Sequence, residues 1–291
     1  MEDYIKTIGF KNINSRKDVH QLIKSIIHSP DRKKYFQLNT NEAIYCYEKD
    51  FGNKIGMTVL EIVDNNGTHI LDSYFPYVYG MNCLYNDNIE VERITGKENY
   101  AGICDENNLG IPLIFHINNP IDYLNIVYHP MKGKINCINL SGISTKGIII
   151  LPIKENEQER IKERQGNEWR SQMIEAARAG SQEALERLTL DDMDTYNMVT
   201  SRSRKEDIFT IVTSYFMPYS VECDKYSVLG TITDSRIISN KVTGESMYYI
   251  SMECNSIEID FVISRENLLG EPAVGRRFKG NIWLQGEVES I

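Results

Sequence analysis

The first 30 residues contain one apolar stripe with the spacing of an α-helix. Five residues recur at helical intervals and share one face: Val19, Leu22, Ile23, Ile26 and Ile27. Ser15 and Asp18 stand before this stripe at the spacing of a capping box, and Pro30 follows it. The pattern therefore predicts a helix over residues 16–28, whose apolar face must pack on another element.

Between residues 35 and 153 the apolar period changes to two, as in β-strands. The segments Lys54–Asp64 and Thr68–Tyr74 flank Asn65-Asn66-Gly67, a sequence that favours a tight hairpin turn. Further strands are predicted at 89–95, 99–104, 111–118, 134–140 and 146–151. The pattern of this region therefore predicts an antiparallel sheet, or two packed sheets, with the 16–28 helix on one face.

Two short segments in this region need a separate interpretation. Residues 121–129 fit a short helix and a strand equally well. The glycine-rich segment Gly142–Gly147 lacks the Gly-Lys-Ser/Thr sequence of a phosphate-binding loop. It therefore predicts a turn between the strands at 134–140 and 146–151.

A helical module follows the strands. Residues 154–168 are almost entirely polar or charged, which is typical of a linker or a solvated helix. Gly180 and Ser181 predict the end of one helix and the cap of the next. Two apolar stripes frame the module: Trp169, Met173, Ile174 and Ala177, and then Ile208, Ile211, Val212, Tyr215 and Phe216. Because such stripes avoid water, we expect the helices of 169–217 to dock on the strands that follow them in the chain.

Strand-like alternation returns at Tyr226 and continues to Gly286. The clearest run is Ile257, Ile259, Phe261 and Ile263, each next to a polar residue. Four or five short strands of this kind favour a small closed barrel of the OB type, which leaves no strand edge exposed. The alternative is a plain sheet that the helical module covers.

These elements predict an α+β fold in three parts. Residues 1–153 form an antiparallel β-sheet domain with a packed helix, residues 154–220 a charged linker and helical module, and residues 221–291 a small β domain, with an OB-like barrel as one alternative. We expect the charged segment 154–168 to be a domain boundary, so that the fragment 165–291 folds on its own.

Composition and charge exclude several classes of protein. The chain has 291 residues, of which 41% are hydrophobic and 25% charged, as in ordinary globular proteins. Its net charge of −9 is spread over all three parts, so it lacks the basic surface by which proteins bind nucleic acid. No apolar run approaches the roughly 18 residues that span a bilayer, and the acidic N-terminus is unlike a signal peptide. These features predict a cytoplasmic protein that binds neither nucleic acid nor membranes.

The six cysteines give no sign of a metal site. No two of them have the short spacing of zinc ligands or of a redox motif. Cys46, Cys137 and Cys254 lie between apolar residues in strand-like runs, as small buried hydrophobic residues do. We therefore expect all six thiols to be reduced and most to be buried, with no metal and no cofactor.

Motifs of known enzyme classes are absent from the sequence, including those of nucleotide-binding loops, zinc proteases and serine hydrolases. A thiol site needs one cysteine, one histidine and a carboxylate close together. The weak candidates for such a site are Cys104, His116 and Cys137. Carboxylates paired on one strand face, such as Glu90 and Glu92, can serve as general acid and base but more often face solvent.

Two aromatic segments are candidate binding surfaces. Tyr74, Phe75, Tyr77 and Tyr79 crowd around a proline, as in loops that stack on ligands. The same residues would also suit a strand end that fills the core. Arg276, Arg277 and Trp283 combine cations with an aromatic ring, as nucleic-acid stacking faces do. Trp283 alternates with apolar neighbours, however, which favours a place in the core or in a subunit interface.

The second half of the chain resembles a known family. The similarity is carried by five segments: Asp191–Tyr196, Glu206–Phe209, Tyr215–Tyr219, Val221–Gly230 and Gly270–Gly286. They resemble segments of an uncharacterised protein family of anaerobic Firmicutes, a domain of unknown function. The resemblance implies a bacterial cytoplasmic protein and transfers no activity and no catalytic residue.

The sequence thus favours a non-enzymatic binding or protein-interaction module, whose partner is a protein or a small-molecule ligand, with self-association as a further expectation. The alternative is a hydrolase or transferase with a site between the two β domains, built from a Cys/His pair or paired carboxylates. A cysteine and a histidine within hydrogen-bond reach of each other would favour the enzyme.

Overall fold

The computed structural model describes residues 1–85, 89–94, 96–106, 111–129, 134–153, 157–219 and 224–290. It is an α+β protein with 27% helix and 48% strand, which confirms the predicted fold class. The helices are α1 (Glu2–Thr7), α2 (Arg16–His28), α3 (Pro120–Tyr128), α4 (Glu157–Arg178), α5 (Gln182–Arg202) and α6 (Ile208–Ile211). Segment 121–129, left open by the sequence, therefore belongs to a helix.

The first sheet has four antiparallel strands in chain order: β1 (Arg32–Gln37), β2 (Glu42–Gly52), β3 (Ile55–Asp64) and β4 (His69–Val78). Helix α2 packs on β2 and β3 and buries Val19, Ile23 and Ile26. Its capping box is present, since Ser15 and Asp18 each accept a hydrogen bond from the other's backbone N–H. The predicted hairpin between β3 and β4 is also present, and Gly67 has a φ of 77° that glycine adopts without strain.

The second sheet takes its strands from both halves of the chain. They are β5 (Cys83–Tyr85), β6 (Ile89–Arg93), β7 (Tyr100–Glu106), β8 (Ile111–Ile117), β9 (Ile135–Ile150), β10 (Tyr215–Pro218), β11 (Lys225–Ser239), β12 (Ser246–Cys254), β13 (Ile257–Ser264), β14 (Leu268–Leu269) and β15 (Arg277–Ser290). Five of them close a barrel in the order β11-β12-β13-β9-β15, since β15 also pairs with β11. The barrel alternative is thereby confirmed, with β9 and β13 as its parallel pair.

Strand β9 is one continuous strand of 16 residues, so the turn predicted at Gly142–Gly147 is wrong. Its two glycines instead allow a close approach of β15 side chains. A Cβ at Gly142 would lie 2.3 Å from a methyl group of Ile282, and one at Gly147 would lie 2.3 Å from the ring of Phe278. Glycine inside a strand thus marks tight packing here rather than a turn.

The barrel also crosses the boundary predicted at residue 154. Strand β9, which precedes that boundary, lies between β13 and β15, which follow it. Strand β8 also pairs with the end of β15, at His116 and Gln285. Residues 221–291 therefore supply only four of the five barrel strands.

Helices α4 and α5 form a hairpin, and Arg178 at the end of α4 forms an ion pair with Asp105 of β7. Gly180 ends α4 with a φ of 94°, and Ser181 caps α5 by accepting a hydrogen bond from the Ala184 N–H, as predicted. The expectation that the helices of 169–217 dock on the C-terminal strands holds for α6, whose Phe209 carbonyl accepts from Arg277 of β15, but not for α4 and α5. Within the described ranges, α4 and α5 pack on each other, and neither makes an extended contact with a strand. Tyr215 and Phe216, assigned to the last helical stripe, lie instead in β10.

The buried Arg277 holds the base of this hairpin together. Its guanidinium donates hydrogen bonds to the carbonyl oxygens of Leu151, Phe209 and Val212, at 2.7–3.2 Å. Leu151 precedes the helical segment, whereas Phe209 and Val212 follow α5. The two ends of the segment therefore meet at one side chain.

This geometry predicts that the helical hairpin can be removed. Replacing residues 154–206 by a short glycine-serine linker is expected to leave a cooperatively folded protein, because the ends already meet at Arg277. The fragment 165–291 is expected not to fold cooperatively, because it lacks β9. Urea denaturation followed by circular dichroism distinguishes the two variants. A cooperative transition in the fragment would show that β9 is dispensable.

Candidate functional site

A polar cavity of about 240 Å³ lies between the first sheet and the end of β15. Strands β1–β4, the segment between β8 and α3, and β15 all contribute to its wall. Its lining residues are mostly charged or hydrogen-bonding: Arg32, Lys34, Glu48, Thr58, Tyr77, Tyr79, Asn118, Asn119 and Glu287. This concentration of polar groups between two β structures makes the cavity the candidate site.

The register of the first sheet places three of these residues side by side. Arg32 of β1 lies opposite Glu48 of β2, and Glu48 lies opposite Thr58 of β3. Residues opposite each other in a sheet point to the same face. Lys34 shares that face, since it stands two residues after Arg32.

The Arg32 guanidinium is the centre of a hydrogen-bond network. Its Nε donates to Glu48 Oε2 at 2.6 Å, and its two Nη atoms donate to the Asp50 carboxylate at 2.7 and 2.9 Å. Nη2 also donates to the hydroxyl oxygens of Tyr77 and Tyr79 at 3.0 and 2.7 Å. The hydrogen bonds to Asp50 and then to Glu48 raise the pKa of Arg32, against the effect of burial. The guanidinium is therefore a fixed cation whose donors are already engaged.

Tyr77 reaches this network because β3 carries a glycine beneath its ring. A Cβ at Gly56 would lie 2.2 Å from the Tyr77 ring and hydroxyl, so a larger residue would displace the ring. The Tyr77 hydroxyl donates to Asp50 Oδ1 at 2.6 Å. Burial raises the pKa of Tyr77 and that of Tyr79, which keeps both hydroxyls neutral at physiological pH.

The second cation of the cavity is tied to α3. Lys34 Nζ donates to Asp122 Oδ2 at 2.6 Å. Burial is the largest single effect on the pKa of Lys34 and lowers it, but the hydrogen bond and the charge of Asp122 outweigh burial and raise it overall. Lys34 thus remains charged, and its ammonium is paired with a carboxylate.

Two neighbouring asparagines at the start of α3 form the far wall. Asn119 makes two hydrogen bonds with the backbone of Val288, at 2.8 and 3.0 Å. Asn118 Nδ2 donates to the Val78 carbonyl and to Gln285 Oε1, at 3.3 and 3.4 Å. Asn119 therefore ties the wall to β15, and Asn118 ties it to β4 and β15.

Two buried polar atoms of the lining have no hydrogen-bond partner among the described residues: Asn118 Oδ1 and Thr58 Oγ1. Asn118 is 4% exposed and Thr58 is fully buried. Buried polar groups in native proteins are nearly always hydrogen-bonded, and an unpaired one costs about 1–3 kcal/mol. A water molecule cannot reach either atom, so both lie in the packed wall behind the cavity rather than on its open surface.

Glu287 is the carboxyl group of the lining whose pKa is raised. Burial, followed by the charges of Glu289, Asp122 and Glu48, raises its pKa to about 7, against the opposing effect of Lys34. Glu48 Oε2 forms an ion pair with Arg32 Nε at 2.6 Å. The cavity therefore contains one carboxyl group that titrates near neutrality and one that is fixed in an ion pair.

The aromatic run Tyr74–Tyr79 divides between core and cavity. Most of it belongs to β4 rather than to a loop. Phe75 is buried, with its ring centroid 4.4 Å from that of His116. The hydroxyls of Tyr77 and Tyr79 face the cavity, whereas Tyr74 lines a separate cleft beside α2. The structure thus brings two of the four predicted aromatic residues to the site.

The three residues proposed for thiol chemistry do not form a pair. In the β7–β8 register, Ala101 lies opposite His116 and Cys104 lies opposite Leu113, so Cys104 and His116 are on opposite faces of the sheet. Burial lowers the pKa of His116 to about 4, so its imidazole is neutral. Cys137 is bonded to another residue, and the carboxylates Glu90 and Glu92 are both exposed on β6.

The expectation that all six cysteines are reduced is wrong, because Cys83 and Cys137 form a disulfide. Antiparallel pairing of β5 with β9 brings their Cα atoms to 5.7 Å, although 54 residues separate them in the chain. Spacing in the sequence carries no sign of such a pairing. Cys46, Cys104 and Cys254 are buried thiols, as predicted, and Cys223 lies outside the described residues.

The predicted cationic and aromatic face near the C-terminus is not a surface. Trp283 is 4% exposed, lies between Tyr4 and His116, and donates its indole N–H to Asp224 Oδ2 at 2.7 Å. Arg277 is 5% exposed and holds the hairpin base, whereas Arg276 is half-buried and donates to the Glu271 carbonyl. The interpretation of Trp283 as a core residue is thus confirmed.

No group of three or more His, Cys, Asp or Glu side chains with the arrangement of a metal site occurs in the described part of the chain. None of the helices in those ranges is both long and apolar enough to cross a membrane.

The fold and the cavity define an α+β protein in which a four-stranded sheet and a five-strand barrel flank a charged, hydrogen-bonding cavity. The chain belongs to the family described as "Domain of unknown function, E. rectale Gene description (DUF3881)", whose model matches residues 5–286. This confirms the resemblance to a family of unknown function. No curated protein and no solved structure matches the chain.

Proposed function

We propose that this chain is a non-enzymatic binding protein that holds a small polar ligand in the cavity between the first sheet and β15. The observation that carries the proposal is the cavity itself, whose wall brings Arg32, Lys34, Glu48 and Glu287 to one space between the two β structures. A polar ligand would find charged and hydrogen-bonding groups of both signs there.

The rigidity of the wall supports binding rather than catalysis. The side chains of Arg32, Lys34 and Asn119 are all held by hydrogen bonds within the protein. A ligand that enters such a site orders few side chains on binding, which favours affinity. None of these three groups needs to move for the cavity to be occupied.

We further propose that the protein has no affinity for nucleic acid. The net charge of −9 and the burial of Trp283 support this. The outer face of β12 and β13 is also occupied, because Tyr249 donates to the Tyr79 carbonyl and Asp260 accepts from the Met81 N–H. That face is where OB-type barrels bind oligonucleotides.

Thr58→Val tests the binding function directly. Valine matches threonine in shape but removes the unpartnered hydroxyl, so we expect the free energy of unfolding to rise by about 1 kcal/mol. Ligand binding should weaken in the same variant, because valine makes the wall of the cavity at β3 less polar. Urea denaturation measures the first effect, and a thermal-shift screen with small polyols, amino acids, amines and carboxylic acids measures the second.

Thr231→Val is the matched control, because Thr231 is exposed on β11. It is expected to change neither stability nor ligand response. The binding function would be contradicted if no compound class stabilised the wild type, or if each compound stabilised Thr58→Val equally well.

The cavity also supports a second candidate function, hydrolysis with paired carboxyl groups. With a pKa of about 7, Glu287 could donate a proton, and Glu48, paired with Arg32, is the second carboxyl group of the lining. Hydrolysis of a chromogenic glycoside or ester that Glu287→Gln abolishes would favour this candidate over simple binding.

A further inference from the structure

We propose that the hairpin of α4 and α5 is a dimerisation element, in which α5 packs antiparallel to α5 of a second copy of this chain. Three observations support the proposal: the low burial of the hairpin, an exposed apolar face on α5, and the distribution of charge along α5. The proposal uses no residue of the cavity and is independent of the proposed binding function.

The hairpin buries very little of its own surface. Among its described side chains, those of 165–178 and 182–202, only Ala184 is buried. Helices in proteins owe most of their stability to the packing of an amphipathic face. Two helices of 22 and 21 residues with one buried side chain between them therefore indicate a surface that packs on a partner.

One face of α5 carries four apolar side chains, each 57–71% exposed, within a sector of about 140° around the helix. They are Leu185, Leu190, Met193 and Tyr196. The buried Ala184 and Asp191, which pairs with Arg170 of α4, lie outside this sector. The apolar face therefore points away from α4, and contiguous exposed apolar residues are typical of an interaction surface.

The charges of α5 and the turn after it are separated along the chain. Residues 182–194 contain five carboxylates and one arginine, whereas residues 195–206 contain three cations and one carboxylate. Two antiparallel copies place the acidic half of each helix against the basic half of the other, whereas parallel copies place like charges together. A second copy of this chain, related by a two-fold axis, therefore complements the surface.

Glu186 and Arg204 are the charges that this arrangement pairs. Neither forms an ion pair within the described part of the chain. They are 18 residues apart, which is five turns of an α-helix, so they lie on the same side. The helical turn continues past the end of α5, since the Glu206 N–H donates to the Arg202 carbonyl.

A two-fold axis beside residue 195 satisfies both features of α5. It lies midway between Glu186 and Arg204, about 13 Å along the helix from each, and so brings Glu186 of each copy to Arg204 of the other. Met193 and Tyr196 then lie at the centre of the interface. Apolar side chains at the centre and charged pairs at the rim are the usual arrangement of a protein interface.

The length of α5 predicts a dimer that dissociates on dilution. Its 21 residues extend about 31 Å, and a helix with its side chains is about 10 Å wide. A contact of this size is smaller than the roughly 800 Å² that each partner contributes to a typical stable complex. We therefore expect a dissociation constant in the micromolar range.

Sedimentation velocity of the full chain at about 1 to 100 μM tests the proposal. The sedimentation coefficient should rise with concentration from that of a monomer to that of a dimer. Met193→Glu should raise the dissociation constant about tenfold or more, because it places a charge at the centre of the interface. Met198→Glu is the matched control, since Met198 is 48% exposed on another side of α5 and should leave the association unchanged.

Charge reversal tests the antiparallel arrangement. Glu186→Arg and Arg204→Glu should each weaken the dimer, because each places like charges together across the two-fold axis. An equal mixture of these two variants should associate as the wild type does, because each supplies the charge that the other requires. This comparison needs no variant with an altered apolar face.

Four outcomes would overturn the proposal. The chain could remain monomeric over the whole concentration range. The dimer could survive Met193→Glu or the removal of residues 154–206, in which case it uses another surface. Met193→Glu and Met198→Glu could weaken association equally, which would mean that a new charge disturbs α5 itself. Lastly, the mixture of the two charge-reversed variants could fail to recover the dimer, which would contradict antiparallel pairing.

Discussion

Trp283→Ala is expected to lower the free energy of unfolding by about 3–5 kcal/mol, as full truncation of a buried aromatic residue does. Trp283 lies where β15 passes between β9 and β11, and its ring centroid is 4.8 Å from that of Tyr4 and 5.2 Å from that of His116. Truncation would leave a cavity at this junction. It would also leave Asp224, whose pKa burial already raises, without the indole N–H that stabilises its charge.

Trp169→Ala is the matched control, since the chain has only two tryptophans. Trp169 is half-buried in α4, in the helical hairpin. Its truncation should therefore lower the free energy of unfolding by less than about 1 kcal/mol. The variant also leaves Trp283 as the only tryptophan, so tryptophan fluorescence then reports urea denaturation at the barrel itself. Equal losses in the two variants would mean that the hairpin belongs to the cooperative core.

The fold was predictable where the signal is local. The Ser15 capping box and the turn at Asn65–Gly67 involve residues within a few positions of each other, so the sequence shows both partners. The parallel pairing of β9 with β13 joins segments more than a hundred residues apart. Alternation along β9 shows that it is a strand but not which strands flank it, and for this reason the domain boundary was placed after it.

The candidate site was predictable only in part. Tyr77 and Tyr79 were identified from the density of aromatic residues, but Arg32, Glu48 and Glu287 were not. Charged residues at alternate positions of a strand normally indicate a solvated face, and Arg32 and Lys34 have that spacing. The face becomes buried only because the end of β15 and the start of α3 close over it, a packing that no local pattern encodes.

Glu287 and His116 are expected to change the stability of the protein in opposite directions over overlapping pH ranges. Its folded pKa of about 7 is above the ordinary value of 4.5, so the folded state binds the proton more tightly than the unfolded state. That contribution is fully present below pH 4.5 and is lost as the pH rises through 7. In the folded protein the pKa of His116 is about 4, below its ordinary value of 6.5. The stabilisation that the neutral imidazole contributes is therefore lost as the pH falls from 6.5 towards 4.

Glu287→Gln should therefore remove the loss of stability between pH 4.5 and 7, so that the gain due to His116 between pH 4 and 6.5 appears without an opposing slope. The wild type is expected to lose about 2–3 kcal/mol between pH 5 and pH 8 through Glu287, because one pKa unit corresponds to about 1.4 kcal/mol. Glutamine carries no titrating proton, so this loss should vanish in the variant. Urea denaturation at unit steps from pH 4 to pH 8 measures both slopes, with Glu258→Gln as the exposed control. If the free energy of unfolding of Glu287→Gln depends on pH above 5 as that of the wild type does, Glu287 is solvated and the cavity is open to bulk water at β15.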